Sequence, residues 1–177
     1  MHRLFVAIRP PERIRALLLA AMGGISGARW QSDEQIHLTL RFIGEVDRHR
    51  AGDVHAALGA VHQPPFDLAL NGIGAFERRG VAETLWAGVT PHAPLRALHK
   101  KVDAALARVG IAPDERAYLP HITIARLKRG AGPVGNLLES AGGLGSPPFT
   151  ADHFALFESD LTAEAAIYSM VERYPLG

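Results

Sequence analysis

Alternating apolar positions at the start of the chain predict a strand that is buried on both faces. Leu4, Val6 and Ile8 alternate there with two further apolar residues. A prolyl pair at positions 10 and 11 then ends the strand, and apolar residues at helical spacing predict a helix from residue 11 to about residue 22. The first unit of the chain is therefore a strand followed by an amphipathic helix that packs against a sheet.

Strand and helix patterns continue to alternate along the rest of the chain. Apolar residues at helical spacing predict two more helices, over residues 47–62 and 92–109. Shorter apolar runs predict strands over 29–31, 36–43, 66–70, 85–89, 119–127, 149–158 and 166–174. Residues 75–83 are predicted to form a loop, and the glycine-rich stretch 130–148 a loop that contains a short helical turn.

Two of the predicted strands carry the same pattern, His-x-Thr-x. It occurs as His37-Leu38-Thr39-Leu40 and again from His121 to residue 124, where Thr123 is the threonine. Residues i and i+2 of a strand point to the same face, so each histidine shares a face with its threonine while the apolar residues anchor the other. Two such strands could place two imidazoles and two hydroxyls around one phosphate.

The separation of the two motifs says something about domain organisation. They lie 84 residues apart, near half the length of the 177-residue chain. This spacing predicts a single domain over residues 1–177 whose two lobes each present one motif to a shared cleft. An alternative stays open from the residues alone: two ordinary half-buried strands whose histidines and threonines merely face solvent.

Composition narrows the classes of function. A hydrophobic content of 47% is enough for a full core, and a formal net charge of only +1 argues against a protein that coats long nucleic acid. Because there is no cysteine, disulfide scaffolds, thiol nucleophiles and thiolate metal sites are excluded. No apolar run reaches the roughly 18 residues of a membrane span, and no leader pattern is evident, so we expect a cytoplasmic protein without membrane contact.

Paired histidines suit the displacement of a phosphodiester. At neutral pH one imidazole can accept a proton from the attacking hydroxyl or water while the other protonates the departing oxygen, and threonine hydroxyls can donate to the phosphate. A metal site is the rival interpretation. We expect no metal and no other cofactor, because no His-Glu-x-x-His occurs, no carboxylate lies two or four residues beyond either motif histidine, and catalytic zinc usually needs three protein ligands.

Residues beside the motifs are candidates for binding substrate. On a regular strand Arg41 shares the face of His37 and could reach phosphate, with a solvated charge at the rim as the alternative. Arg126 has the wrong parity and would need a bulge or the end of the strand to enter the cleft. Phe42 and Tyr118 are candidates for stacking on a nucleobase, with a place in the core as the alternative for each.

The motifs and their flanks resemble the two-histidine (2H) phosphoesterase superfamily, specifically the bacterial RNA 2′,3′-cyclic phosphodiesterases once described as 2′-5′ RNA ligases. The similarity extends over nearly the whole chain and includes residues 3–8, 29–30, 37–46, 85–89, 120–126 and 156–159. It implies a bilobal α+β fold with pseudo-symmetric lobes, antiparallel sheets lining a central cleft and helices outside. It also implies metal-free hydrolysis of RNA 2′,3′-cyclic phosphate ends to 2′-phosphomonoesters.

The resemblance also implies roles for the motif residues. His37 would protonate the leaving 3′ oxygen as general acid, His121 would activate water as general base, and Thr39 and Thr123 would hold the phosphate. Three alternatives remain open: a phosphodiesterase for a small cyclic nucleotide or an ADP-ribose cyclic phosphate, reversible 2′-5′ RNA ligation with the same residues, and a non-catalytic binder of RNA ends. The expected partner is RNA with a cyclic phosphate end, or a small cyclic nucleotide, and no obligate protein partner is evident.

Overall fold

The computed structural model describes residues 1–177 and is an α+β structure with nine strands and four α-helices. The strands are β1 His2–Ile8, β2 Ala28–Trp30, β3 Leu38–Val46, β4 Phe66–Arg78, β5 Val81–Thr90, β6 His121–Leu127, β7 Phe149–Ala151, β8 His153–Leu161 and β9 Ala166–Pro175. The helices are α1 Glu12–Ala20, α2 Arg48–Leu58, α3 Ala93–Arg108 and α4 Gly135–Ala141, and a 3-10 turn spans Asp33–Gln35.

The strands form one antiparallel path in the order β7-β4-β5-β6-β3-β1-β8-β9, and β2 pairs with β6 beside this path. The centre of the path is the contact between β3 and β6. Counted outward from it, one lobe runs β3-β1-β8-β9 and the other β6-β5-β4-β7. Each motif strand therefore lies at the inner edge of its own lobe, and the two edges meet.

Helices and a shared core cover the opposite side of the sheet from the motif side chains. Helix α3 packs on β3 and on α2, and it buries a stripe of five residues: Leu95, Leu98, Val102, Ala105 and Leu106. One cluster of 32 buried hydrophobic residues contains side chains of both lobes, Leu38 and Ile122 among them. None of the helices combines the length and the apolar character that a membrane span requires.

The α+β fold class, the bilobal arrangement and the three longer helices predicted from the sequence are confirmed. The loop predicted over residues 75–83 is wrong, because β4 and β5 continue through it and form a long hairpin. Arg78 pairs with Val81, and the two turn residues Arg79 and Gly80 have φ values of 53° and 76°. Positive φ at both positions is the geometry of a tight hairpin turn, but Arg-Gly lacks the usual Asn-Gly or Asp-Gly signal.

The glycine-rich stretch 130–148 holds the short helix α4, as predicted. The predicted strand 149–158 is divided into β7 and β8, which separate at Asp152. Of these two, β7 pairs with β4 in one lobe and β8 pairs with β1 in the other. A single apolar run thus contributes a strand to each lobe.

Candidate active site

The two motifs meet at the contact between β3 and β6. Leu38 pairs with Ile122 in antiparallel register, and both side chains are completely buried. In this register His37 lies opposite Thr123, and Thr39 lies opposite His121. Because successive side chains alternate across a sheet, the two histidines and two threonines share the face that points away from the core.

The backbone orients both imidazoles in the same way. Nδ1 of His37 lies 3.2 Å from the carbonyl oxygen of Gln35, and Nδ1 of His121 lies 2.7 Å from the carbonyl oxygen of Leu119. A carbonyl oxygen only accepts hydrogen bonds, so Nδ1 of each ring carries the proton and donates it. In each ring Nε2 is therefore the nitrogen that remains for proton transfer.

The turn before His37 is held by two arginines. Arg9 donates to the carbonyl oxygens of Asp33 and Ile36 at 3.0 and 3.2 Å, and Arg15 pairs with the Asp33 carboxylate at 2.8 Å. These contacts immobilise the short 3-10 turn from which the Gln35 carbonyl projects. The orientation of the His37 ring therefore depends on Arg9, which directly follows β1, and on Arg15 of α1.

Each motif strand has a bulge just beyond its threonine. Between β1 and β3 the register shifts so that Val6 pairs with Arg41 and Ala7 with Thr39. Between β5 and β6 the register shifts at the equivalent place, so that Leu85 pairs with Ala125 and Trp86 with Thr123. A bulge adds one residue and reverses the side-chain parity beyond it. The residue five positions after each histidine is thereby turned towards the motif face.

Aromatic rings surround His37 and bury it to 7% exposure. Phe157, Tyr168 and Phe5 lie edge-on to the imidazole, with ring centroids 4.5, 5.4 and 5.8 Å away. Burial among these rings lowers the pKa of His37 from its usual 6.5 to about 4, although the hydrogen bond to the Gln35 carbonyl acts in the other direction. His37 is thus neutral at pH 7 in the ligand-free protein.

His121 occupies a matching but more open position. Phe76 of β4 and Trp86 of β5 lie edge-on to its ring, with centroids 4.8 and 6.4 Å away. A Cβ at Gly74 would lie 2.4 Å from the Trp86 ring, so glycine is required there. Partial burial lowers the pKa of His121, and the backbone contact with Leu119 opposes that shift.

All four motif side chains line one cavity of about 390 Å³. This volume is within the range of small-molecule sites. The lining contains two arginines and no carboxylate, so its charge suits an anion. The full set is Arg3, Phe5, Gln31, Gln35, His37, Thr39, Phe42, His121, Thr123, Arg126, Ser159, Leu161, Ala166 and Tyr168.

Two of the flanking residues predicted from the sequence lie in this cavity. Phe42 is 43% exposed, and the guanidinium of Arg3 lies 4.9 Å above its ring. Arg126 reaches the cavity because the bulge in β6 reverses its parity, as its predicted entry requires. Both residues stand five positions after a motif histidine, so the lobes contribute them from equivalent places.

Arg41 does not lie in the cavity, so its predicted place on the motif face is wrong. The bulge in β3 turns it to the core side, where it is 6% exposed and pairs with Asp103 at 2.9 Å. It also donates to the carbonyl oxygens of Phe42 and Ala112. Arg41 therefore ties β3 to α3 and to the segment that follows that helix.

Tyr118 is also outside the lining of the cavity. Its ring stacks on His99 with a centroid distance of 4.2 Å and an interplanar angle of 2°, and its hydroxyl donates to the backbone carbonyl of Thr39 at 3.0 Å. Burial raises the pKa of this phenol. The predicted role in base stacking gives way to a contact that supports the first motif strand from behind.

Several lining residues were not predicted as site residues, although Arg3, Phe5 and Ser159 lie in segments that carry the family resemblance. Arg3 and Phe5 come from β1, Ser159 from β8 and Tyr168 from β9, and these strands are distant in the chain but adjacent in the sheet. An alternating strand indicates that its residues have two faces but not which face meets a motif from another strand. No group of three or more His, Cys, Asp or Glu side chains is arranged to hold a metal ion.

Relatives that are similar in sequence are named as phosphodiesterases. RNA 2′,3′-cyclic phosphodiesterase of Archaeoglobus fulgidus is 30% identical over 169 residues, which cover 94% of this chain and 96% of the relative. The protein of the same name from Thermotoga maritima is 30% identical over 177 residues, 96% of this chain and 92% of the relative.

Solved structures agree with this relationship. The protein TT0787 of Thermus thermophilus superposes with a TM-score of 0.83 and 26% identity, covering 98% of this chain and 97% of its own. LigT of E. coli complexed with 3′-AMP superposes with a TM-score of 0.77 and 26% identity, covering 99% and 98%. The family model of the 2′-5′ RNA ligase superfamily matches residues 4–163, and the chain belongs to that superfamily.

Proposed function

We propose that this protein hydrolyses the 2′,3′-cyclic phosphate at the end of an RNA to a 2′-phosphomonoester, with His37 as general acid and His121 as general base. One observation carries the proposal: two imidazoles and two threonine hydroxyls line a single cavity that contains arginines but no carboxylate. The names of the relatives support the same cyclic phosphate chemistry.

The reaction is a single displacement at phosphorus. A water molecule attacks, and Nε2 of His121 takes its proton as the new P–O bond forms. The bond from phosphorus to the ribose 3′ oxygen breaks, and Nε2 of His37 protonates that oxygen. Thr39 and Thr123 donate from their hydroxyls to the non-bridging oxygens, whose negative charge is greatest in the transition state.

Proton supply is linked to substrate binding in this scheme. With a pKa of about 4, His37 holds a proton in only about one molecule in a thousand at pH 7 when the cavity is empty. A phosphate anion beside a buried imidazole favours its charged form and raises its pKa. Nε2 of His37 is buried and has no hydrogen-bond partner in the protein, and in this scheme the bound substrate supplies that partner.

In this proposal the whole chain acts as one domain. The lobes supply one motif each, and the cavity exists only where they meet. The cytoplasmic location expected from the sequence stays a prediction.

Product analysis tests the proposal. A short RNA that ends in a 2′,3′-cyclic phosphate is incubated with the protein, and the products are separated from standards that carry a 2′- or a 3′-phosphate. We expect the 2′-phosphate alone. Accumulation of the 3′-phosphate would contradict the proposal, because a different oxygen would then be the leaving group.

A pair of variants connects the product to the motif histidines. Asparagine in place of histidine retains a side-chain N–H near the position of Nδ1 but removes Nε2. We expect His37→Asn and His121→Asn to lose turnover while keeping the circular dichroism spectrum of the parent protein. Full turnover in either variant would rule out the paired-histidine mechanism.

A further inference from the structure

A second cavity, of about 520 Å³, adjoins the first at the end near His37. The two cavities share Gln31, Gln35, Arg126, Ala166 and Tyr168. The remaining walls come from β2, from the turn that follows it and from the start of β9. The second cavity is therefore a continuation of the cleft, and the reaction at phosphorus leaves it unused.

Two arginines face each other at this end of the cleft. Arg29 of β2 is directly opposite Arg126 of β6 in the antiparallel register, and both side chains are exposed and line the second cavity. Like charges directly opposite on neighbouring strands destabilise a sheet. Neither arginine forms an ion pair with a carboxylate, although Glu34 lines the same cavity. The guanidinium of Arg29 donates only to the backbone carbonyl of Glu164.

An unpaired cross-strand pair of guanidinium groups is suited to an anion with several oxygens. Arginine presents a planar fork of N–H donors that matches phosphate, and a bound phosphate removes the repulsion between the two side chains. The side-chain amide of Gln31, which forms no hydrogen bond within the protein, and the ring of Tyr168 add polar and aromatic surface between this pair and His37.

The orientation of the RNA chain in the cleft follows from the proposed function, on which this inference rests. If His37 protonates the 3′ oxygen, the ribose lies at the His37 end of the cleft, and the chain 5′ to it extends towards Arg126 and Arg29. Because of the bulge, Thr123 and Arg126 lie opposite Trp86 and Thr84, which are two residues and about 7 Å apart along β5. A terminal nucleotide between the cyclic phosphate and its own 5′ phosphate spans a distance of this order.

We infer that Arg29 and Arg126 bind the phosphodiester on the 5′ side of the terminal nucleotide, so that the second cavity selects an RNA end over a mononucleotide. The cyclic phosphate then lies between the motif histidines, the terminal nucleoside lies beside Gln31 and Tyr168, and the next phosphate lies between the two arginines. This assignment makes Arg29 a specificity residue for the substrate class.

Calorimetric titration tests the inference without turnover. The two ligands are a nucleoside 2′-phosphate and a dinucleotide that ends in the same nucleoside 2′-phosphate, so that only the latter has an internal phosphodiester. They are titrated into the parent protein, Arg29→Gln and a matched control, Arg96→Gln. Arg96 is an exposed arginine of α3, on the helix-covered side of the sheet, so this control makes the same change of charge away from the cleft.

We expect the parent protein to bind the dinucleotide more tightly than the mononucleotide. Arg29→Gln should lower the affinity for the dinucleotide about tenfold and reduce the ratio of the two affinities by about the same factor, whereas Arg96→Gln should leave the ratio unchanged. Dinucleotide binding by Arg29→Gln should also depend less on salt concentration, because one charge–charge contact that salt screens is lost.

Two results would overturn the inference: an unchanged affinity ratio in Arg29→Gln, or an equal change of the ratio in Arg96→Gln. Failure of the proposed hydrolysis would instead show as intact RNA in the product analysis, with these binding affinities unaffected. The two outcomes are therefore distinguishable.

Discussion

Strands β3 and β6 have similar backbone geometry but carry different side chains at equivalent positions. His37 immediately precedes β3 and His121 begins β6, and Nδ1 of each contacts the carbonyl two residues earlier. Each strand also has a bulge beyond its threonine. The residue that the bulge turns inward is Arg41 in β3 and Ala125 in β6. The residue that it turns towards the cleft is Phe42 in one strand and Arg126 in the other.

The histidines themselves differ in burial. His37 is enclosed by three aromatic rings and has a pKa of about 4, whereas His121 has two aromatic neighbours and is half-buried. An acid and a base must differ in protonation at the same pH. A nearly symmetric backbone thus presents two equivalent groups in unequal surroundings. In the empty cavity, burial keeps the proposed acid His37 neutral, so its role requires the bound phosphate to raise its pKa.

The largest expected effect is on turnover by the two histidine variants. His37→Asn and His121→Asn should each lower kcat on a cyclic phosphate end by about a hundred- to ten-thousand-fold, the usual contribution of one proton transfer. An aryl phosphodiester that the parent protein cleaves separates the roles, because a phenolate departs without a proton. It should restore turnover in His37→Asn but not in His121→Asn, and equal behaviour of the two would contradict the assigned roles.

Substitution of Arg41 should lower stability, whereas substitution of Arg126 should lower activity. Arg41→Met removes the ion pair of the Asp103 carboxylate and the donor to two carbonyls, so the free energy of unfolding should fall by about 3 kcal/mol. Arg126→Met removes an exposed side chain and should change the free energy of unfolding by less than about 0.5 kcal/mol. Urea unfolding and kcat/KM measured on both variants check this.

Arg126→Met serves as the control for Arg41→Met, since the same substitution is made beyond the equivalent bulge. It should lower kcat/KM with little effect on folding. If Arg41→Met had the same urea midpoint of unfolding as the parent protein, the ion pair with Asp103 would not hold β3 in place.

Acid should destabilise the protein through His37. Burial favours its neutral form, so its contribution to stability is complete above pH 6.5, the unfolded value, and is lost as pH falls to about 4. The depressed pKa corresponds to about 3 kcal/mol over that window. Between pH 7 and pH 4, the free energy of unfolding measured in urea should fall less in His37→Asn than in the parent protein. Protonation of carboxylates affects both proteins equally, so it cancels in the comparison.

The smallest effects are expected at the threonines. Thr39→Val and Thr123→Val keep the shape of the side chain and remove the hydroxyl, so each should lower kcat/KM about tenfold through the loss of one hydrogen bond to a charged phosphate. Serine at either position should restore most of the activity. A large effect at only one threonine would show that the phosphate lies closer to one motif than to the other.

Strand parity predicts the orientation of some residues around the motifs but not of others. Parity correctly places the motif side chains on one face and their apolar neighbours on the other, because the strands are regular up to the threonine. It places Arg41 wrongly and leaves Arg126 dependent on a bulge. The bulge lies beyond the threonine in both strands, and no turn residue or glycine between positions 39 and 42 announces it.

Two aromatic neighbours of the motif histidines cannot be placed from the sequence pattern. Phe76 falls within a predicted loop, yet it contacts His121 because the β4–β5 hairpin continues to Arg78. Tyr168 is in a correctly predicted strand, but its contact with His37 arises from the sheet order β3-β1-β8-β9. Such contacts depend on which strands become neighbours, and local periodicity carries no information about that.

The sequence by itself determined the helices, most of the strands, the paired motifs and the absence of thiol chemistry, because periodicity, spacing and composition are local properties of the chain. Only the tertiary structure decided that the two His-x-Thr segments meet at Leu38 and Ile122, that His37 is buried, and that Arg29 opposes Arg126 at the end of the cleft. Burial, register and charge proximity arise from packing between distant segments, and these set the pKa values and the shape of the cleft.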